Sequence, residues 1–129
     1  MPTPHELAKR FLEHFNTRNQ SGLLELVASD VRYNGRGGRG EGMHLLQEWV
    51  QRATTTMTPR RWFGDEEIVV AEVDVEWCSP TSNEVFDKAV WAISFAIDGG
   101  RISSISRFAD VGEAVTKMGL HESNLIPES

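Results

Sequence analysis

The chain has 129 residues, 40% hydrophobic and 25% charged, which suits one domain over residues 1–129 with a core that needs no metal or disulfide. Its formal net charge of −6 opposes approach to a phosphate backbone, so nucleic acid is excluded as a main partner. The lone Cys78 cannot pair within the chain, no Cys/His spacing suits a metal, and no apolar run reaches the roughly 20 residues of a membrane span.

The chain opens with a strong helix signal. Thr3 is placed to cap it, Pro4 fits its first turn and Glu6 completes a capping box. The polar start also lacks the apolar stretch of a leader peptide, so a cytoplasmic protein is expected, with no membrane partner. Leu7, Phe11 and Phe15 then form one apolar stripe. A shorter helix follows, with Ser21 as its expected cap, and then a short extended segment over Val31 to Asn34. The glycine-rich stretch Gly35 to Gly40 predicts a surface loop. It lacks the lysine and hydroxyl residue of a phosphate-binding loop. Met43 to Thr54 has helical spacing again.

From Met57 the apolar period changes to two. Strands are predicted over Thr58 to Phe63, Glu67 to Cys78, Val85 to Ile97 and Arg101 to Ala109, joined by short turns into an antiparallel meander. Asp110 and Glu113 mark a last short helix, and the tail from His121 onward is expected to fray. Helices first and strands after them predict an α+β fold on an antiparallel sheet. The strand at Val85 to Ile97 is apolar on both faces. The helices cover one, and a second copy of the chain is the simplest cover for the other, so a homodimer is expected.

This element order resembles the nuclear transport factor 2-like superfamily. Within it, the chain is most similar to SnoaL-like polyketide cyclases and limonene-epoxide-hydrolase-like proteins. The likeness runs from Pro4 to Leu120. It rests on Ala28-Ser29-Asp30-Val31, on Gly40-Glu41-Gly42 ahead of a helix carrying Trp49, and on Gly99-Gly100-Arg101-Ile102 through Ala109-Asp110. The resemblance implies a cone-shaped domain closed around one apolar pocket that needs no cofactor. Its members include isomerases, cyclases, dehydratases, hydrolases and proteins without a known reaction, so fold alone does not name the activity.

The resemblance also implies site residues. Asp74 falls at a family aspartate on the long strand, Asn34 near a family asparagine, and Glu72 and Arg107 where the family has an arginine and a second aspartate. The charges are those of the family's set in exchanged places. Asp74 is then the expected base or water-orienting group, with Arg107 as its partner or as a clamp for a substrate anion. Tyr33, Asn34, His44, Trp49, Trp62 and Glu72 are the expected contacts to a small apolar molecule. The plain reading of the same residues is that Glu72, Asp74 and Glu76 alternate along a half-exposed strand as ordinary surface charges. Two functions therefore stand side by side: acid–base chemistry on a small apolar substrate, or a non-catalytic ligand-binding or dimeric scaffold domain.

Overall fold

The computed structural model describes residues 3–35, 38–79, 81–82 and 84–127. Helix α1 spans Pro4–Asn16, α2 Gln20–Leu26, α3 Met43–Arg52 and α4 Val111–Lys117. The strands are β1 (Val27–Gly35), β2 (Gly38–Glu41), β3 (Thr55–Gly64), β4 (Ile68–Cys78), β5 (Val85–Asp98), β6 (Arg101–Phe108) and β7 (Leu125–Ile126). They form one sheet in the order β2-β1-β6-β5-β4-β3-β7.

The caps explain where the helices begin. Thr3 Oγ1 accepts the Glu6 amide at 3.1 Å and Asp110 Oδ1 accepts the Glu113 amide at 2.8 Å, each satisfying an amide that the first helical turn leaves without a partner. The expected Ser21 cap does not form. Asn19 takes that place, accepting the Gly22 amide at 3.1 Å, so α2 starts earlier. The β5–β6 hairpin turns on Gly99 and Gly100 with φ of 60° and 77°, a left-handed pair that favours glycine.

The meander from β3 to β6 is antiparallel as predicted. The sheet as a whole is mixed, because β1 lies parallel to β6. Three other expectations change. The first strand is longer than Val31 to Asn34, because pairing with both β2 and β6 draws its whole length into the sheet. Gly38 to Gly40 belongs to β2 rather than to a loop. The tail does not simply fray: β7 pairs with β3 through Trp62↔Ile126 and Phe63↔Leu125 and covers part of an otherwise open edge.

Period-two alternation divides the sheet into two faces. On the inner face Val69, Ala71, Val73 and Val75 of β4 and Ile93 and Phe95 of β5 pack with Leu7, Phe11 and Phe15 of α1 and Leu46 of α3. On the outer face Val70 and Ala92 pack with Ala114 of α4, Phe63 and Leu120. Helix α4 covers only part of that face, and Val90 of β5, opposite Asp74, is left 40% exposed. At the end of α1, the Asn16 amide works like a strand end: it donates to the Met57 carbonyl at 2.9 Å and accepts the Met57 amide at 2.8 Å.

Candidate functional site

Inside the curve of the sheet lies a cavity of about 420 Å³, within the usual range for small-molecule sites. Five apolar side chains wall it: Leu45 and Trp49 from the α3 segment, Trp91 and Ile93 from β5, and Ile105 from β6. Tyr33, Asn34, Arg39 and Arg107 are its polar members. Arg107 faces inward because β6 places it opposite Ile93, on the same side as Ile105. Its guanidinium lies over the Trp91 ring, 4.3 Å from the centroid. Trp91 meets Trp77 edge-on at 5.3 Å. Trp49 is seated against Phe15, with ring centroids 4.8 Å apart.

Tyr33 sits opposite Ile105 in the β1–β6 register. Its hydroxyl is buried and makes no hydrogen bond among the described residues. Burial pushes the phenol up to about 12, with the backbone of Leu46 pulling weakly the other way. With Tyr33 neutral, Arg39 and Arg107 are the charged members of the described lining, and both are cationic. No carboxylate or histidine lines the cavity among its described residues.

The structure brings together Tyr33, Asn34, Trp49 and Arg107 of the expected site residues and separates the rest from them. Asp74 and Glu72 lie on the outer face, because they share the parity of Val70 rather than that of the core residues Val73 and Val75. Asp74 pairs there with Arg60 at 3.7 Å. Glu72 takes two hydrogen bonds from Arg61, at 2.9 and 3.2 Å, which hold its carboxyl below the usual range. A register shift between Pro59 and Arg61 allows both consecutive arginines to serve this face. Asp74 and Arg107 therefore do not meet: the sheet lies between them. Trp62 is buried in the core against His5, ring centroids 4.8 Å apart, and does not line the cavity. His44 is exposed near the start of α3 and does not line it either.

Sequence reasoning missed Arg39, Leu45, Trp91, Ile93 and Ile105. Trp91 and Ile93 carried a legible signal, since they share one strand face. What the sequence lacked was which part of that face the helices leave uncovered. Arg39 carried a misleading one, because its glycine-rich surroundings suggest a loop.

No group of three or more His, Cys, Asp or Glu among the described residues is placed to hold an ion. No helix of the described residues is long and apolar enough to cross a membrane.

Among the curated proteins no match is found. Solved structures of the same fold are numerous. An NTF2-like protein of unknown function from Burkholderia pseudomallei aligns with a TM-score of 0.73 at 16% identity, covering 90% of this chain and 97% of that one. One from Cytophaga hutchinsonii gives a TM-score of 0.72 at 16% identity over 88% and 96%. TerC, co-crystallised with polyporic acid, gives 0.70 at 17% identity over 90% and 95%. At such identities the likeness is one of fold. The sequence itself matches the family model of the SnoaL-like domain over residues 8–105. That match spans most of the chain and agrees with the helix-covered, curved sheet described above: the chain belongs to the SnoaL-like domain family.

Proposed function

We propose that this chain binds a compact, mostly apolar small molecule carrying one anionic or enolisable oxygen group. The observation behind this reading is that Arg39 and Arg107 are the charged members of the lining of a mostly apolar cavity. A guanidinium is a planar fork of donors suited to a carboxylate or enolate. Desolvation by the surrounding indole and aliphatic walls strengthens that attraction. A neighbour of the same fold was co-crystallised with an acid, polyporic acid, which is in keeping with such a ligand. Ligand binding is favoured over acid–base turnover by Asp74, since that carboxylate is held by Arg60 on the far side of the sheet.

The test uses the tryptophans of the cavity wall as reporters. Naphthoate is expected to change the intrinsic fluorescence and naphthamide to bind about tenfold or more weakly, as loss of a charge-assisted hydrogen-bonded pair implies. Arg107→Ala should remove the preference for the acid. Equal binding of acid and amide by the unaltered chain would sink the proposal.

The chain is also proposed to pair with a second copy through the outer face of β5. Val90 is 40% exposed on that face, and Phe86, at the irregularity toward the start of the strand, is 67% exposed. The flanking pairs Arg60–Asp74 and Lys88–Glu76 offer both charge signs, as a self-complementary two-fold contact requires. Light scattering at micromolar concentration should give twice the mass of the chain, and Phe86→Asp should return it to one. A monomeric unaltered chain would remove this proposal.

A further inference from the structure

Apart from the two-residue β7, the sheet ends at β3. That strand has ten residues, and β7 pairs with only Trp62 and Phe63 of them. A strand edge of this length is a template for pairing with another chain, above all with a second copy of the same strand. Backbone groups of successive strand residues point to opposite sides. The Thr54 carbonyl accepts the Cys78 amide at 2.8 Å, so Thr54 faces β4 and Thr55, Met57 and Pro59 face the open side.

Each of those three positions is closed in its own way. The Thr55 carbonyl accepts from the Arg18 guanidinium. The Asn16 side chain takes both the amide and the carbonyl of Met57, at 2.8 and 2.9 Å. Pro59 has no amide hydrogen to offer a neighbouring strand. Past the register shift between Pro59 and Arg61, Trp62 pairs with Ile126 and the Gly64 carbonyl accepts from Asn124 Nδ2 at 3.5 Å.

The backbone of Arg18 is a second, independent sign. Its φ of 57° lies in the left-handed region, where a helix end usually carries glycine. Glycine would sit there without strain but would reach neither carbonyl. The arginine spans from the Phe15 carbonyl, at 2.7 Å, to that of Thr55, and its guanidinium rests 5.0 Å from the Phe15 ring centroid. A strained arginine is kept where its side chain reaches the strand edge.

We infer that the end of α1, Pro59 and the tail form a guard over the β3 edge, and that the guard keeps two copies of this chain from joining edge to edge. Without it, β3 of one copy pairs antiparallel with β3 of another about a two-fold axis, and one sheet runs through both.

The experiment is done in the Phe86→Asp background, so that its outcome does not depend on the contact through β5 proposed above. Arg18→Gly and Pro59→Val open two guarded positions at little cost in folding, since glycine suits the left-handed backbone and valine suits a strand. With Asn16→Ala added, the triple variant should show about twice the mass of its parent by light scattering at micromolar concentration. Its strand signal per residue in the infrared should rise as well. Val73→Ala is the control for lost stability alone. It empties core space on the inner face of β4, where Val73 is fully buried, leaves the β3 edge guarded, and should keep the parent mass. Should the triple variant not fold, Pro59→Val with Ile126→Pro opens the other end of the edge, and the same gain in mass is expected. A folded edge-open variant that keeps the parent mass would overturn the inference. So would equal association of Val73→Ala, which would trace the effect to partial unfolding.

Discussion

The Arg107 guanidinium rests over the Trp91 ring at 4.3 Å, and the Trp91 ring in turn abuts the Trp77 ring. Such a stack orders the face of the guanidinium against an indole plane. It also lowers the entropy lost when a ligand is gripped, since the side chain is already ordered. Arg107→Lys keeps the charge but loses both the fork and the stacking plane. Its affinity for naphthoate should fall by about tenfold relative to the unaltered chain, measured by fluorescence titration. Full retention would mean that charge alone acts there.

Tyr33 provides a spectroscopic handle, being the only tyrosine in the chain. Its phenol is pushed by burial from 10.0 to about 12. Between those values the unfolded chain has lost the proton and the native chain keeps it. The contribution to stability is therefore complete below pH 10 and is lost as pH rises toward 12. Tyrosinate absorbance should titrate near pH 12 in the native protein and near 10 in denaturant. Tyr33→Phe should flatten that part of the alkaline loss. At neutral pH it should cost little in stability, since the hydroxyl it removes makes no hydrogen bond within the distance limits among the described residues and feels the Leu46 backbone only weakly. A native midpoint at the ordinary phenol value would refute the placement of Tyr33.

Asn16 ties the end of α1 to β3 through both backbone groups of Met57, a residue with no exposed surface. Asn16→Ala leaves a buried amide and a buried carbonyl without those partners. The expected cost is about 1–3 kcal/mol, read from urea denaturation. Asn16→Asp keeps the acceptor but not the donor and should recover only part of it.

The Arg61–Glu72 pair makes a prediction of opposite sign in pH. Glu72 is held below 4.5 by Arg61, so its contribution is present above pH 4.5 and is lost as pH falls through the lowered value. The stability gap between the unaltered chain and Glu72→Gln should close on acidification. At neutral pH the gap should be small, because the Arg61 side chain is half exposed and solvent screens the pair. In the same experiment Asp74→Asn should leave naphthoate binding unchanged. Loss of binding would place Asp74 in the site despite its position on the outer face.

The sequence by itself determined the types and order of the helices and of the β3–β6 meander, but not strands β2 and β7. Capping side chains at Thr3 and Asp110, the α1 stripe and the change of period after Met57 are local signals, and local hydrogen bonding and one-sided burial follow from them directly. It also singled out Arg107, Asn34, Tyr33 and Trp49, which share the cavity. Tertiary structure alone decided which face each strand turns inward. A strand's two faces differ by one residue of parity, so Asp74, one residue from the buried Val73 and Val75, ends up on the far side of the sheet from Arg107. The same holds for Trp62 and Trp91. Both are apolar strand residues at core spacing, and only the reach of the helices over the sheet buries one and leaves the other facing the cavity. Arg39 became part of the site through pairing of β2 with β1, a contact between backbones to which a glycine-rich stretch gives no side-chain clue.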